Sequence, residues 1–208
     1  MKIEDIARII KDSVISVATF RSDLPDDLDM KEAGNLLASF PGQIRLENWR
    51  KLPQEFIESL VKHTGPAISF VDMSGGGGFE LSVQKAEILA TYKGELNIDT
   101  LRLNYEKGHP RLDPYNFKRE DLNDQDIKDE ITIAKALSLH KGGILSLPNL
   151  KELSIIAAEQ LLEHESPVYL ENLVDDEDSS DFSPEIHELI AEASKRWPPE
   201  SHVRAWQK

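Results

Sequence analysis

The stretch GILSLPNLKELSIIAAEQLLEHESP, residues 143–167, lies without a gap over GQIRLENWRKLPQEFIESLVKHTGP, residues 42–66, at a constant offset of 101, since 143 − 42 = 101. Leu147 falls on Leu46, Asn149 on Asn48, Leu153 on Leu52, Leu161 on Leu60 and His164 on His63. Self-similarity of this kind marks a stack of units, none of which buries its own apolar face alone. Each copy reads as an apolar-alternating strand, a turn containing asparagine, a leucine and an amphipathic helix. Side chains alternate along a strand with period two, so Leu145 and Leu147, like Ile44 and Leu46, are expected to point into a shared core. The helices expected over 154–164 and 53–63 place Ala157, Ala158 and Leu161, or Phe56, Ile57 and Leu60, on one stripe. Ser154 suits the helix cap and Pro53 the first helical position.

Less regular units fill the rest of the chain, each with extra residues between strand and helix, where stacked repeats accept insertions. AISFVDM (67–73) reads as a strand, SGGGG (74–78) as a loop and 82–92 as the helix that follows. LNIDTL (96–101) opens another unit, whose helix, 131–140, arrives after an excursion through 102–128. VYLENL (168–173) opens the last, with DDEDSSD inserted before a helix over 184–193. Upstream, 14–20 reads as a strand, 29–39 as its helix and 3–10 as a cap on the open end. The helix ends His63, Tyr92, His140 and His164 occupy equivalent places in successive units.

Through ILSLPNLKELS (144–154), IRLENWRKLP (44–53) and VYLENL (168–173), about two thirds of the chain resembles the leucine-rich repeat class, with irregular repeats of about 23–24 residues. The resemblance implies an α/β right-handed solenoid of strand-helix repeats, with a parallel sheet on one face and helices on the other. It makes Asn48, Asn149 and Asn172 counterparts of the class asparagine that bonds the turn backbone, and it implies a non-enzymatic protein-binding scaffold. The expected organisation is one solenoid domain over 1–208. It has an N-terminal cap and first irregular repeat at 1–41, repeats over 42–193 with insertions at 74–80, 102–128 and 175–181, and a C-terminal cap or tail at 194–208.

The net charge is −14, and its placement matters more than its size. Residues 171–192 hold nine acidic side chains and no Lys or Arg, which leaves −14 + 9 = −5 for the remainder. Such a field repels phosphate backbones and anionic membrane surfaces, so the expected partner is a protein of basic character, with no nucleic acid and no membrane. The chain has no cysteine, hence no disulfide framework and no thiolate. Its start shows no basic region followed by an apolar run, and the expectation is a soluble, cytoplasmic protein.

Tests for chemistry yield little. A column of imidazoles at His63, His140 and His164 would suit metal or proton transfer, but Tyr92 shares the same register, which favours a structural role in satisfying helix-end carbonyls. The SGGGG run lacks the Lys that follows a phosphate-binding loop and the spaced glycines of a dinucleotide site. The stretch 175–181 lacks the glycine of a calcium loop. No nucleophile elbow or HExxH is present, so no enzyme and no cofactor is expected.

The expected contacts lie in the insertions. Residues 102–128 combine cations with aromatics, Arg102, Tyr105, Arg111, Tyr115 and Phe117 among them, which are the residue types of binding hot spots. Asp175, Asp176, Glu177, Asp178 and Asp181 form an acidic rim able to steer a cationic partner. Two function classes lead, a protein-recognition module or an immunity-type inhibitor that neutralises a cationic toxin or nuclease, with an enzyme of unrecognised type as the remaining alternative.

Overall fold

The chain folds, in a computed structural model, into strands β1 (Val17–Arg21), β2 (Gln43–Glu47), β3 (Ala67–Val71), β4 (Phe79–Leu81), β5 (Glu95–Ile98), β6 (Leu101–Leu103), β7 (Leu145–Ser146) and β8 (Val168–Tyr169). The structure describes residues 17–21, 29–49, 51–71, 79–99, 101–103, 124–148, 150, 154–170 and 184–196. Six strands form one parallel sheet in the order β1-β2-β3-β5-β7-β8, and β4 pairs with β6 in a second, two-stranded parallel sheet. The large sheet never reverses direction, so each crossover adds the next strand on the same edge.

The register links the two copies from which the reading began. Ala18, Ile44, Ile68, Leu96, Leu145 and Val168 are successive partners across the sheet. All six are buried. Two residues further along, Phe20, Leu46, Phe70 and Ile98 form the next rung, and Leu147 and Leu170 are buried at the same distance along their own strands. Ile44 and Leu145 thus stand on one rung, three steps of the sheet apart. Apolar side chains on one face and polar ones on the other is what a period-two pattern dictates; β1 alternates exposed and buried from end to end.

Helices α1 (Met30–Ala38), α2 (Gln54–Leu60), α3 (Val83–Leu89), α4 (Asp124–Ser138), α5 (Ile155–Leu162) and α6 (Pro184–Ser194) pack each against the next. Their starts are written in the sequence. Asp29 accepts the Glu32 N–H at 2.9 Å, Ser82 that of Lys85 at 3.4 Å and Ser154 that of Ala157 at 3.2 Å, each satisfying a first-turn donor that has no partner inside the helix. The stripe Phe56, Ile57 and Leu60 of α2 and the stripe Ala157, Ala158 and Leu161 of α5 are buried as expected. Gly34 brings α1 onto α2, since a Cβ there would lie 2.8 Å from the Phe56 carbonyl oxygen. One apolar cluster runs through the strands and helices from Ala18 to Ala193.

Several boundaries differ from the sequence reading. The helix expected at 131–140 begins at Asp124, inside the excursion assigned to 102–128. Its first turns carry Asp124, Asp126 and Asp129, which the apolar stripe does not announce; Asp126 and Glu130 are buried all the same. The strand expected over 96–101 is two strands, β5 in the large sheet and β6 in the small one. Pro53 caps α2 with an extended backbone, φ −61 and ψ 153, rather than occupying its first turn. The readings over 3–10, 74–78 and 197–208 lie outside the described residues. No helix among the described residues is long and apolar enough to cross a membrane.

Candidate functional site

Two features stand apart from ordinary packing: a column of buried rings at the helix-to-strand turns, and the polar face of the large sheet. The column is built by the repeat itself. Helices α1 to α5 each end two to three residues before a ring, and the chain then turns into its strand within a few residues. His63, Tyr92, His140 and His164 thereby come into line, with ring centroids 6.0, 6.4 and 5.6 Å apart in that order and planes within 30°. All four are at most 3% exposed.

Each ring is tied to backbone. The Tyr92 hydroxyl donates to the Gly65 carbonyl at 2.9 Å, and His140 Nε2 meets the Gly94 carbonyl at 2.9 Å, each reaching back to the turn of the preceding unit. His63 Nδ1 lies 3.3 Å from the carbonyl of Ala38, the last residue of α1. His164 Nδ1 lies 2.6 Å from its own turn's Ser166 carbonyl. A cap on helix-end carbonyls therefore describes His63 alone, and it acts across units. The other rings stitch turns.

Glycine makes room for this seam. A Cβ on Gly65, Gly94 or Gly142 would fall 2.5, 2.2 and 2.6 Å from the tip of the ring two residues earlier. The aromatic-x-Gly spacing of FPG (40–42), HTG (63–65), YKG (92–94) and HKG (140–142) is legible in the sequence. It identifies Phe40, which the sequence reading did not select and which is fully buried, as the same position in the first described turn.

Burial pushes the His63 and His140 imidazoles below their ordinary value, His140 to about 4 with the neighbouring His164 adding to the effect. The carbonyls of Ala38 and Gly42 offset part of the shift at His63, and that of Gly94 at His140. Burial, with Glu95, raises the Tyr92 phenol above its usual range. His63, Tyr92 and His140 are thus neutral near pH 7. Among the described residues no group of three or more His, Cys, Asp or Glu side chains is placed to hold a metal ion.

The polar face of the sheet carries Thr19, Arg45, Ser69, Asn97, Ser146 and Tyr169 on one row, partners in register from β1 to β8. Glu47 sits on the same face, accepting from Arg21 Nε at 3.0 Å and Arg45 Nε at 3.1 Å. Gln43 donates to the fully buried Ser69 hydroxyl at 3.2 Å. The Asn97 Oδ1 is buried without a hydrogen-bond partner.

Asn48 occupies the turn after β2 with φ 63, the left-handed region that asparagine tolerates better than most residues, and its N–H donates to the Val71 carbonyl at 2.8 Å. Beside it Trp49 Nε1 donates to the Phe20 carbonyl at 3.0 Å. Neither Trp49 nor Glu47 was singled out from sequence, because both depend on strands 26 to 29 residues away. Asn149, Asn172, Tyr105, Arg111, Tyr115, Phe117, Asp175, Asp176, Glu177, Asp178 and Asp181 lie outside the described residues; the backbone of Arg102 lies in β6, opposite Glu80. Comparison with protein-family models, with curated proteins and with solved structures gives no match to this chain.

Proposed function

We propose that the chain is a non-catalytic protein-recognition module, a right-handed solenoid of leucine-rich-repeat-like type that holds a basic protein partner on its sheet face and insertions. The observation that carries the reading is the contrast between the two sides of each strand. The inward rung repeats, from Ala18 through Ile44, Ile68, Leu96 and Leu145 to Val168, and is apolar throughout. The outward row is polar and varied, Thr19, Arg45, Ser69, Asn97, Ser146 and Tyr169, and of these Thr19, Arg45, Asn97 and Tyr169 keep access to solvent while Ser69 and Ser146 are buried between them. A repeated core with a varied face is how stacked repeats present a recognition surface.

The handedness rests on a general rule: parallel strands joined by a helical crossover connect right-handedly in about 98% of cases. The basic partner rests on the charge of −14 and on the acidic residues 175–181. Arg102, Tyr105, Arg111, Tyr115 and Phe117 are the anchors proposed for the long insertion. The same acidity supports a second reading, an inhibitor of a cationic toxin or nuclease, for which a basic toxin domain encoded alongside would speak. The test is capture of the partner by the full chain, repeated with Arg45→Ala, Asn97→Ala and Tyr169→Ala combined and with residues 104–123 deleted, which leaves α4 whole. Loss of the partner in either variant, with an unchanged circular dichroism spectrum, supports the proposal. Undiminished capture by both, or turnover of a substrate by the purified chain, refutes it.

A further inference from the structure

Three imidazoles sealed in one seam are a chemical liability that Tyr92 and Phe40, at the same places, do not share. His63, His140 and His164 are 3%, 2% and 2% exposed, and each keeps one ring nitrogen buried without a partner: Nε2 of His63, Nδ1 of His140 and Nε2 of His164. A neutral imidazole accepts this, because one nitrogen carries no hydrogen. An imidazolium has two N–H groups and a charge, both of which need partners in a buried site. His140 and His164 stack at 5.6 Å, so charging both adds repulsion.

The surroundings offer little compensation. On the α3 side the neighbour is Tyr92, with Glu95 acting on that phenol. Around His63 it is the carbonyls of Ala38, at the end of α1, and of Gly42 in the turn that follows. At the α6 end the charged group is Arg196, whose guanidinium binds the Leu162 carbonyl two residues before His164. The adjoining Lys62, Lys93, Lys141, Glu163 and Glu165 are exposed. Among the described residues, no carboxylate is among the causes that shift His63 or His140.

We propose that the column is an acid-operated release: neutral rings hold successive units together through their ring-to-carbonyl bonds, and protonation of His63 and His140 opens the seam at the turns entering β3 and β7. Unfolded imidazoles titrate near 6.5, whereas burial holds His63 and His140 lower, His140 at about 4. Stability from His140 is therefore fully present above about pH 6.5 and is lost as pH falls from there toward about 4, because the opened state binds a proton the closed one refuses. This inference concerns the fold and holds whatever partner the sheet face binds.

The experiment is hydrogen exchange on the full chain from pH 7.5 to 4.5, corrected for intrinsic rates, with denaturant midpoints alongside. Turns 63–66 and 140–144 are expected to open more below pH 6.5, with opening at the His140 turn rising about tenfold per pH unit for one linked proton. In His140→Phe, which places at this turn the residue of the FPG turn, the number of protons linked to opening falls by about one. Should His140→Phe not fold at pH 7.5, His140→Tyr takes its place. The unsubstituted chain also decides directly by NMR of its imidazoles. A His63 or His140 ring that titrates near 6.5 in the folded chain without faster exchange, or a variant that keeps the parent pH profile, overturns the proposal.

Discussion

Glu130, on α4 and 1% exposed, accepts the backbone N–H of Ser154 at 2.9 Å, so a carboxylate from one unit holds the residue that caps the helix of the next. Ser154 in turn accepts the Ala157 N–H, and the two bonds fix where α5 begins. Glu130→Ala would leave a half-buried N–H without this acceptor and is expected to cost about 1–3 kcal/mol. Glu130→Gln keeps a carbonyl oxygen at that place and should cost less. Urea unfolding at pH 7.5 separates the two; equal losses would remove the assigned role.

The adjacent glycines Gly142 and Gly143 are predicted to tolerate alanine unequally, for different reasons. A Cβ on Gly142 would lie 2.0 Å from the Gly94 carbonyl oxygen, backbone that has nowhere to move. Gly143 has φ 102 but open space around it. Gly143→Ala should therefore cost about 1–2 kcal/mol in backbone strain alone. Gly142→Ala should cost more, because it forces the β5 and β7 turns apart. A larger loss at Gly143 in denaturant titrations would contradict the turn geometry.

Since Ile44 and Leu145 share a rung, truncating either should damage the core alike, at about 2–5 kcal/mol each for Ile44→Ala and Leu145→Ala. Ile156, on α5 and 55% exposed, serves as the contrast, and Ile156→Ala should fall within about 0.5 kcal/mol of the parent. Thermal unfolding of the three variants checks the ladder without knowledge of function. A neutral Leu145→Ala would show that the rung is misplaced.

Asn48 holds a left-handed backbone, φ 63, in the turn after β2. Asn48→Gly keeps that conformation at no steric cost, whereas Asn48→Val must strain it by about 1–2 kcal/mol and also loses the amide. The valine variant is expected to unfold at a clearly lower denaturant concentration than the glycine variant. Matching midpoints would mean the turn relaxes.

How far the chain speaks for itself can be judged from these residues. Ile44 and Leu145 were legible as equivalents because a period-two strand and a repeated helix stripe leave a local pattern that survives insertion. Ser82 and Ser154 were placed at helix starts, since a cap satisfies donors within its own first turn. The four ring positions could be aligned, yet their acceptors could not, because Gly65 and Gly94 belong to other units, 27 and 46 residues away. The early start of α4 was missed, as its first turns are acidic and lack an apolar stripe.

By itself the sequence determined the strand-and-helix unit, its apolar rungs and the recurrence of a ring before each turn, all consequences of contacts within a few residues. Only the tertiary structure decided that six strands run in chain order in one sheet, that Glu130 holds Ser154, and that the three imidazoles lie stacked and sealed from water. Burial, and with it the charge an imidazole can carry, is set by neighbours distant along the chain, and no local pattern encodes them.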